Sequence, residues 1–211
     1  TAILLVSDGR VAEAVEYLTH AMAIRSNYAE AMNEMGEILA NQQKSAQAIQ
    51  WFNRAIRANP NYAGTYIDLG FLQQNRGEND TAMANYQKAA SLEPDGPADY
   101  FSQANAAASL YQWDQVIACL YAAIKVKPDF WQARYQLGIQ LAAKGETDEA
   151  KRQFSEAIRY RPDFVEGHQE LAATLAVQGK ASQALAEFRA VLQLDPTNSL
   201  ARQQIEIIER R

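Results

Sequence analysis

Only three side chains in this sequence of 211 residues belong to the types that most often perform acid–base, nucleophilic or metal chemistry near neutral pH. They are His20, Cys119 and His168. The two histidines are separated by more than four of the repeated units described below, so we expect them to share neither a metal ion nor a proton. Because Cys119 is the single cysteine, an internal disulfide and a multi-cysteine metal site are excluded, and its apolar context favours a small core residue over a nucleophile.

The sequence also lacks the motifs that position catalytic groups. It contains no HExxH, P-loop, GxGxxG or nucleophile-elbow pattern. We therefore predict that the chain is not an enzyme and that it has no cofactor and no metal site.

Composition narrows the possible partners. The 20 basic and 25 acidic side chains give a formal net charge of −5, so the basic excess that drives nucleic-acid binding is missing. No apolar run approaches the roughly 18 residues that a membrane span needs, which argues against direct membrane insertion. The opening TAILLV has neither an initiator methionine nor a basic leader region, and we interpret the chain as a segment excised from a longer protein, cytoplasmic by default.

The elements that must position any functional residue are set by an internal repeat. Five of the six prolines recur at intervals of 34 residues, and a related NY or DF pair often follows. Since proline cannot continue a helix, each one marks the end of a repeated unit. The five are Pro60, Pro94, Pro128, Pro162 and Pro196.

Each unit contains two helical stripes. In 29–62, Met35, Gly36 and Leu39 form the first stripe, and Ala48, Phe52 and Ala55 form the second, at the three- and four-residue spacings of a helix. A turn residue between the stripes predicts a left-handed helix end. Glycines occupy this place at Gly9, Gly77, Gly145 and Gly179.

This pattern resembles the tetratricopeptide repeat, a 34-residue helix-turn-helix unit. The resemblance implies an all-α, right-handed α-solenoid, a superhelix of stacked antiparallel helix pairs, forming one array over 1–211. In this register a partial repeat at 1–28 precedes five full repeats, and a capping helix follows at 199–211. The full repeats are 29–62, 63–96, 97–130, 131–164 and 165–198.

The third full repeat departs from the pattern. Ala104 replaces the glycine of the first stripe, Tyr111 replaces the turn glycine, and Val116 replaces an alanine of the second stripe. We expect looser packing of its first helix against the second repeat.

The resemblance also implies a concave groove that holds an extended peptide and is lined by the first helices of successive repeats. The corresponding positions form an apolar, aromatic centre with acidic ends, so the expected ligand is a protein or peptide with an apolar anchor and basic flanks. The sixth place of every repeat offers a hydrogen-bond acceptor suited to the backbone N–H groups of an extended chain. The candidate groove residues are Glu30, Asn33, Glu34, Glu37, Ile67, Asp68, Phe71, Phe101, Ser102, Asn105, Tyr135, Gln136, Ile139 and Glu170.

Two alternatives concern the same residues. The acids could merely keep this surface soluble, and Ile67 and Phe101 could lie half-buried between helices.

Trp51, Trp113 and Trp131 sit at packing or turn places of their repeats. These places favour a role in the core over a role in an aromatic ligand-binding box.

One function of the family is not supported. Repeats that grip the C-terminal carboxylate of heat-shock proteins use lysine, arginine and asparagine side chains. At the matching places this chain has Asn33, Glu37, Asp68, Ala98 and Ser102, and the acids would repel a carboxylate.

The sequence therefore predicts a non-enzymatic scaffold for protein–protein interaction. An accessory segment that positions a substrate or supports assembly in a larger enzyme or membrane protein is the alternative. A self-associating solenoid is another, with homodimers forming through the N-terminal edge.

Overall fold

The computed structural model describes residues 5–6 and 10–210, and within this part of the chain all regular structure is helical. Helix pairs joined by short turns follow one another, as the repeat predicts. The all-α fold is confirmed. The described helices are α1 Val11–Ile24, α2 Ala29–Asn41, α3 Ser45–Ala58, α4 Ala63–Asn75, α5 Asn79–Leu92, α6 Pro97–Ser109, α7 Trp113–Val126, α8 Trp131–Ala143, α9 Thr147–Tyr160, α10 Val165–Val177, α11 Ala181–Leu194 and α12 Ser199–Glu209.

The chain divides into two compact units between Pro128 and Asp129. The first unit contains α1 to α7 and the second contains α8 to α12. Each full repeat of the sequence contributes one helix pair. A single continuous array over 1–211 stays a prediction.

Three of the helix pairs are held by the close approach of a glycine to a large ring. A Cβ added to Gly36 on α2 would lie 2.6 Å from the ring of Phe52 on α3, so an alanine there would force the ring to shift. Phe52 is 1% exposed and fills the space between the two helices. The same relation joins Gly70 to Tyr86 at 2.7 Å and Gly138 to Phe154 at 2.5 Å.

The third repeat solves the same packing problem with different residues. Ala104 stands where three of the other four full repeats have glycine, and Leu120 stands where all four have an aromatic ring. Both residues are fully buried. Phe101 is also fully buried and packs edge-on against Tyr86 of the second repeat, with ring centroids 5.1 Å apart. The expectation of looser packing is therefore wrong for this interface.

The turns inside the repeats end in left-handed residues, as predicted. Glycine occupies this place in three of the five described turns, while glutamine and tyrosine adopt the same conformation in the other two. Gly9, predicted at the equivalent place, lies outside the described residues. The backbone angles φ are 58° at Gln43, 77° at Gly77, 58° at Tyr111, 80° at Gly145 and 71° at Gly179.

The last helix covers the end of the second unit. Ala201 is fully buried, and Ile205 and Ile208 pack against a cluster that includes Phe188. Leu200 has an apolar side chain at a position that predicts packing, but it is half-exposed because it lies on the outer side of the first turn of α12.

The first described helix is covered on one side by Leu5 and Val6. Leu18 lies on the helix that precedes the first full repeat, and it is 2% exposed within a cluster formed with Ala14 and Met35. Apolar residues from the segment before α1 and from α2 therefore cover Leu18 together.

We predict that Gly36→Ala lowers the free energy of unfolding by about 1–3 kcal/mol, because the new methyl group collides with the Phe52 ring. Phe52→Leu alone should cost a similar amount through lost burial. The double variant reproduces the Ala104–Leu120 pair and should be more stable than the sum of the two losses implies. Urea unfolding of the four proteins measures this coupling, and strictly additive losses would contradict the packing account.

Candidate functional site

Within the first unit, the first helices of successive repeats are joined by side-chain hydrogen bonds. Asn33 on α2 donates to Asp68 on α4 at 2.7 Å, and Gln74 on α4 donates to Asn105 on α6 at 2.9 Å. Three of the predicted groove residues, Asn33, Asp68 and Asn105, therefore belong to one surface. We call the surface formed by α2, α4 and α6 the first-helix face.

At one end of the first-helix face, an amide lies between two carboxylates. The Asn33 side-chain nitrogen donates to Glu37 Oε1 at 3.0 Å and to Asp68 Oδ2 at 2.7 Å. Asn33 is 4% exposed, and its Oδ1 atom is buried with no hydrogen-bond donor in reach. We call Asn33, Glu37 and Asp68 the acidic junction.

The pKa of Tyr62, which precedes α4, shows that the electrostatic potential beside the acidic junction is negative. Burial, followed by the charges of Asp68, Glu30, Glu34 and Glu93, raises the pKa of Tyr62 to about 12. The phenol therefore keeps its proton at physiological pH.

Sequence reasoning missed Tyr62 because it counted only positions on the first helices. The sequence feature that could have identified Tyr62 is its place two residues after Pro60, where an aromatic residue follows the repeat-ending proline. Gly64 makes room for its ring, since a Cβ there would lie 3.2 Å from Tyr62 Cζ.

A chain of amide and hydroxyl groups continues the face toward the third repeat. The Tyr86 hydroxyl donates to Gln74 Oε1 at 3.0 Å, and the Asn105 amide donates to the Phe101 carbonyl at 2.8 Å. Burial and the nearby charge of Asp68 raise the pKa of Tyr86. A pocket of about 240 Å³ opens beside this chain and is lined by Gln74, Asn79, Ala82, Met83, Tyr86, Asn105, Ala108 and Ser109.

The apolar centre expected from the sequence is not available to a ligand in the first unit. Ile67 and Phe71 are each 6% exposed, Ser102 is 7% exposed, and Phe101 is fully buried. The prediction of an apolar anchor at Phe71 and Phe101 is therefore wrong, because neighbouring helices approach closely enough to enclose these side chains. The alternative that Ile67 and Phe101 lie between helices describes them better.

The second unit holds the remaining predicted residues. Tyr135 is half-buried, with its ring centroid 4.8 Å from that of Phe164, and burial followed by the charges of Glu170 and Glu166 raises its pKa. Burial also raises the pKa of Glu170. Gln136 and Ile139 are half-buried on α8.

His168 lies in the second unit between two acceptors. Its Nδ1 is 2.7 Å from Glu187 Oε2 on α11, and its Nε2 is 3.0 Å from the Pro162 carbonyl oxygen. Burial acts to lower the pKa of His168, but the hydrogen bonds to Glu187 and Pro162 and the charges of Glu187 and Asp163 outweigh it, and the pKa is raised. Because both ring nitrogens face acceptors, the protonated ring satisfies both contacts.

Cys119 has the character of a half-buried structural thiol. Burial, followed by the charge of Asp99, raises the pKa of the Cys119 thiol, which disfavours the thiolate that a nucleophile requires. Its side chain is half-buried rather than fully enclosed in the core.

The three tryptophans have different surroundings. Trp131 packs against Phe164 with ring centroids 4.7 Å apart, and the Arg54 guanidinium lies 4.0 Å above the Trp51 ring. Trp113 is 46% exposed beside Tyr111, so the prediction of core use is wrong for Trp113.

Neither a metal cluster nor a membrane span is found among residues 5–6 and 10–210. No group of three or more histidine, cysteine, aspartate and glutamate side chains there could hold a metal ion. No helix in the same part of the chain has the length and apolar character needed to cross a membrane.

Comparisons with known proteins agree with this architecture. Models of the tetratricopeptide repeat match residues 5–66, 51–84 and 135–199. A search among curated proteins found no match.

Several solved structures are similar to this chain. TTC0263, a thermophilic tetratricopeptide repeat protein of Thermus thermophilus, is 22% identical, with a TM-score of 0.60, and the match covers 87% of this chain and 100% of that one. YrrB, a tetratricopeptide repeat protein with an unusual peptide-binding site, is 19% identical with a TM-score of 0.50, covering 91% of this chain and 99% of the other. MamA is 22% identical with a TM-score of 0.48, covering 76% and 94%.

The helix pairs, their close-packed glycine positions and their left-handed turns define an α-helical repeat protein. The chain belongs to the tetratricopeptide repeat family. Proteins of this family generally act as non-catalytic scaffolds that bind proteins or peptides.

We predict that His168 stabilises the folded state most at low pH. Since the pKa of His168 is raised on folding, its contribution is fully present below the unfolded value of about 6.5 and is lost as pH rises through the folded pKa. Urea unfolding at pH 5.5 and pH 8.5 should show a larger stability gap between the native protein and His168→Gln at pH 5.5. An equal gap at both pH values, or a larger one at pH 8.5, would contradict this assignment.

Proposed function

We propose that this protein is a non-enzymatic scaffold that binds an extended, basic segment of a partner protein on the first-helix face of its first unit. The observation that carries the proposal is the crowding of acidic acceptors at the first two full repeats. Glu37 and Asp68 share one amide, and Glu30 and Glu34 join Asp68 in raising the pKa of Tyr62.

The charge of the face favours a cationic partner. The candidate groove residues of the first three full repeats include four acidic side chains and no lysine or arginine. Complementary charge mainly increases the rate of association and excludes wrong partners. A basic segment is therefore the chemistry that this surface selects.

The polar chain beyond the acidic junction gives the partner backbone a place to bind. Gln74 and Asn105 line the pocket of about 240 Å³, and their amides are held in fixed orientations by Tyr86 and by the Phe101 carbonyl. Amide groups fixed in this way suit the N–H and C=O groups of an extended polypeptide. YrrB has this fold and an unusual peptide-binding site, which supports a peptide ligand for this fold.

Two further ideas stay predictions. Self-association through the N-terminal edge concerns the apolar side chains of α1. Leu18 is 2% exposed, and Val11, Val15 and Met22 pack against the cluster that contains it. An accessory role within a larger enzyme or membrane protein is the other prediction.

Selection of random displayed dodecapeptides on the immobilised protein tests the proposal. We expect the selected peptides to carry net positive charge and to bind more weakly as salt increases. Glu30→Lys combined with Glu34→Lys should weaken their binding at least tenfold, because both substitutions reverse charges beside Tyr62.

The matched control is Glu16→Lys combined with Glu206→Lys, which changes the net charge equally at exposed sites on α1 and α12, outside the first-helix face. It should leave affinity within about twofold. Selection of neutral or acidic peptides, or equal losses in both double variants, would contradict the proposed face.

A further inference from the structure

We infer that the turn between α6 and α7 is a second docking site, which binds a proline-containing segment of a partner protein in the polyproline II conformation. Its large side chains are those of Leu110, Tyr111 and Trp113, and we call these three residues the apolar turn. The inference goes beyond the proposed function, because these residues follow α6 and lie outside the first-helix face.

The apolar turn is a feature of the third repeat alone. At the same three places, each of the other four full repeats has polar, charged or small residues. The turn of this repeat family therefore does not need large apolar side chains in order to form. The corresponding residues are Gln42, Gln43 and Ser45, then Arg76, Gly77 and Asn79, then Lys144, Gly145 and Thr147, and finally Gln178, Gly179 and Ala181.

All three side chains of the apolar turn are exposed to solvent. Leu110 is 66% exposed, Tyr111 is 78% exposed and Trp113 is 46% exposed. Neighbouring apolar side chains that remain in water add little to the stability of the fold. On the surface of a folded protein, such a patch marks an interaction site.

The backbone at Tyr111 supports a role in binding. Its φ of 58° lies in the left-handed region, which glycine occupies at this place in three of the other four full repeats. A bulky L side chain adopts this region at a cost, because its Cβ crowds the neighbouring backbone. Since most of the Tyr111 side chain is exposed, burial does not offset this cost. A contact with a partner would offset it.

The two rings of the apolar turn have the geometry of an aromatic corner. The ring centroids of Tyr111 and Trp113 lie 5.9 Å apart, and the ring planes meet at 80°. One ring therefore stands edge-on to the other and leaves aromatic faces open to a ligand. Segments in the polyproline II conformation dock on aromatic faces of this kind, because their proline rings are flat, rigid and apolar.

The polar atoms of the turn match the same ligand. The Trp113 indole N–H and the Tyr111 hydroxyl are hydrogen-bond donors, and the exposed side chain of Gln112 between them adds an amide. A polyproline II segment makes no hydrogen bonds within itself, and its prolines have no N–H group. Such a segment presents carbonyl acceptors, which the donors of the turn can bind.

The size and charge of the apolar turn favour a short, uncharged segment. Two aromatic rings and one leucine offer apolar surface on the order of a few hundred Å². A stable dimer buries about 1,200–2,000 Å², so this patch is too small to hold a second copy of the chain. Residues 109–113 contain no charged side chain and therefore offer no counter-charge to a strongly charged partner.

The first test uses a peptide of ten prolines, which its own rings hold in the polyproline II conformation. Binding is followed on the full chain by two-dimensional NMR of the indole N–H groups, with Trp51 and Trp131 as internal controls. We expect saturable shifts of the Trp113 signal and of the backbone signals of 109–113. A ten-residue glycine–serine peptide should shift neither. Absence of shifts with the proline peptide, equal shifts at all three tryptophans, or equal shifts with both peptides would overturn the proposal.

The second test separates binding from stability. Tyr111→Gly should weaken binding of the proline peptide at least fivefold, while the urea midpoint stays equal to that of the native protein or rises, because glycine tolerates the left-handed backbone. Gln43→Gly makes the same backbone change in the first full repeat and should leave affinity within about twofold. A lower midpoint for Tyr111→Gly with unchanged affinity would assign the tyrosine a structural role and overturn the proposal.

A further variant and a dilution series complete the test. Trp113→Gln, at a place with ordinary helical backbone, should also weaken binding at least fivefold, so the proposal can be tested even if Tyr111→Gly fails to fold. If the Trp113 signal shifts with protein concentration in the absence of peptide, the apolar turn is a contact between two copies of the chain, and the proline segment is refuted.

The two proposals can fail separately. Glu30→Lys combined with Glu34→Lys, which tests the first-helix face, should leave binding of the proline peptide within about twofold. A loss of fivefold or more in this double variant would refute a separate site at the apolar turn. Loss of basic-peptide binding alone leaves the apolar turn supported, and loss of proline-peptide binding in Tyr111→Gly leaves the proposed function untouched.

Discussion

The contact between Gly36 and Phe52 is the interaction on which the remaining structure depends. Because a Cβ at Gly36 would lie 2.6 Å from the ring, the two helices of the repeat approach as closely as a backbone and an aromatic side chain permit. The same contact recurs at Gly70 and Gly138, while Ala104 and Leu120, at the equivalent places of the third repeat, are both fully buried. In these three glycine-containing pairs the contact sets the distance between the two helices.

The acidic junction follows from this geometry. Close packing of successive helix pairs brings α2 and α4 within hydrogen-bonding distance, so that residues about one repeat apart in the chain, Asn33 and Asp68, meet at 2.7 Å. This hydrogen bond joins the first helices of two successive repeats, whereas the contact between glycine and the aromatic ring joins the two helices within one repeat.

The helix pairs and turns could be predicted from the sequence because their constraints are local. The repeat-ending prolines cannot continue the helices that precede them. Gly77, Gly145 and Gly179 take the left-handed conformation that glycine tolerates best. Burial at the site could be predicted only in part, because it depends on distances between repeats. Phe101 has the groove position of an anchor, yet it is fully buried because Tyr86 of the preceding repeat packs on its ring. Tyr62 was missed for the complementary reason, since it lies off the first helices and still shares their electrostatic environment.

The central claim is that the first-helix face of the first unit binds an extended, basic segment of a partner protein. A crystal structure of the protein with a bound basic peptide tests it most directly. We expect the peptide to lie along α2, α4 and α6, with a basic side chain beside Glu30 and Glu34. A peptide bound on another surface, or one whose basic side chains all lie away from these acids, would contradict the claim.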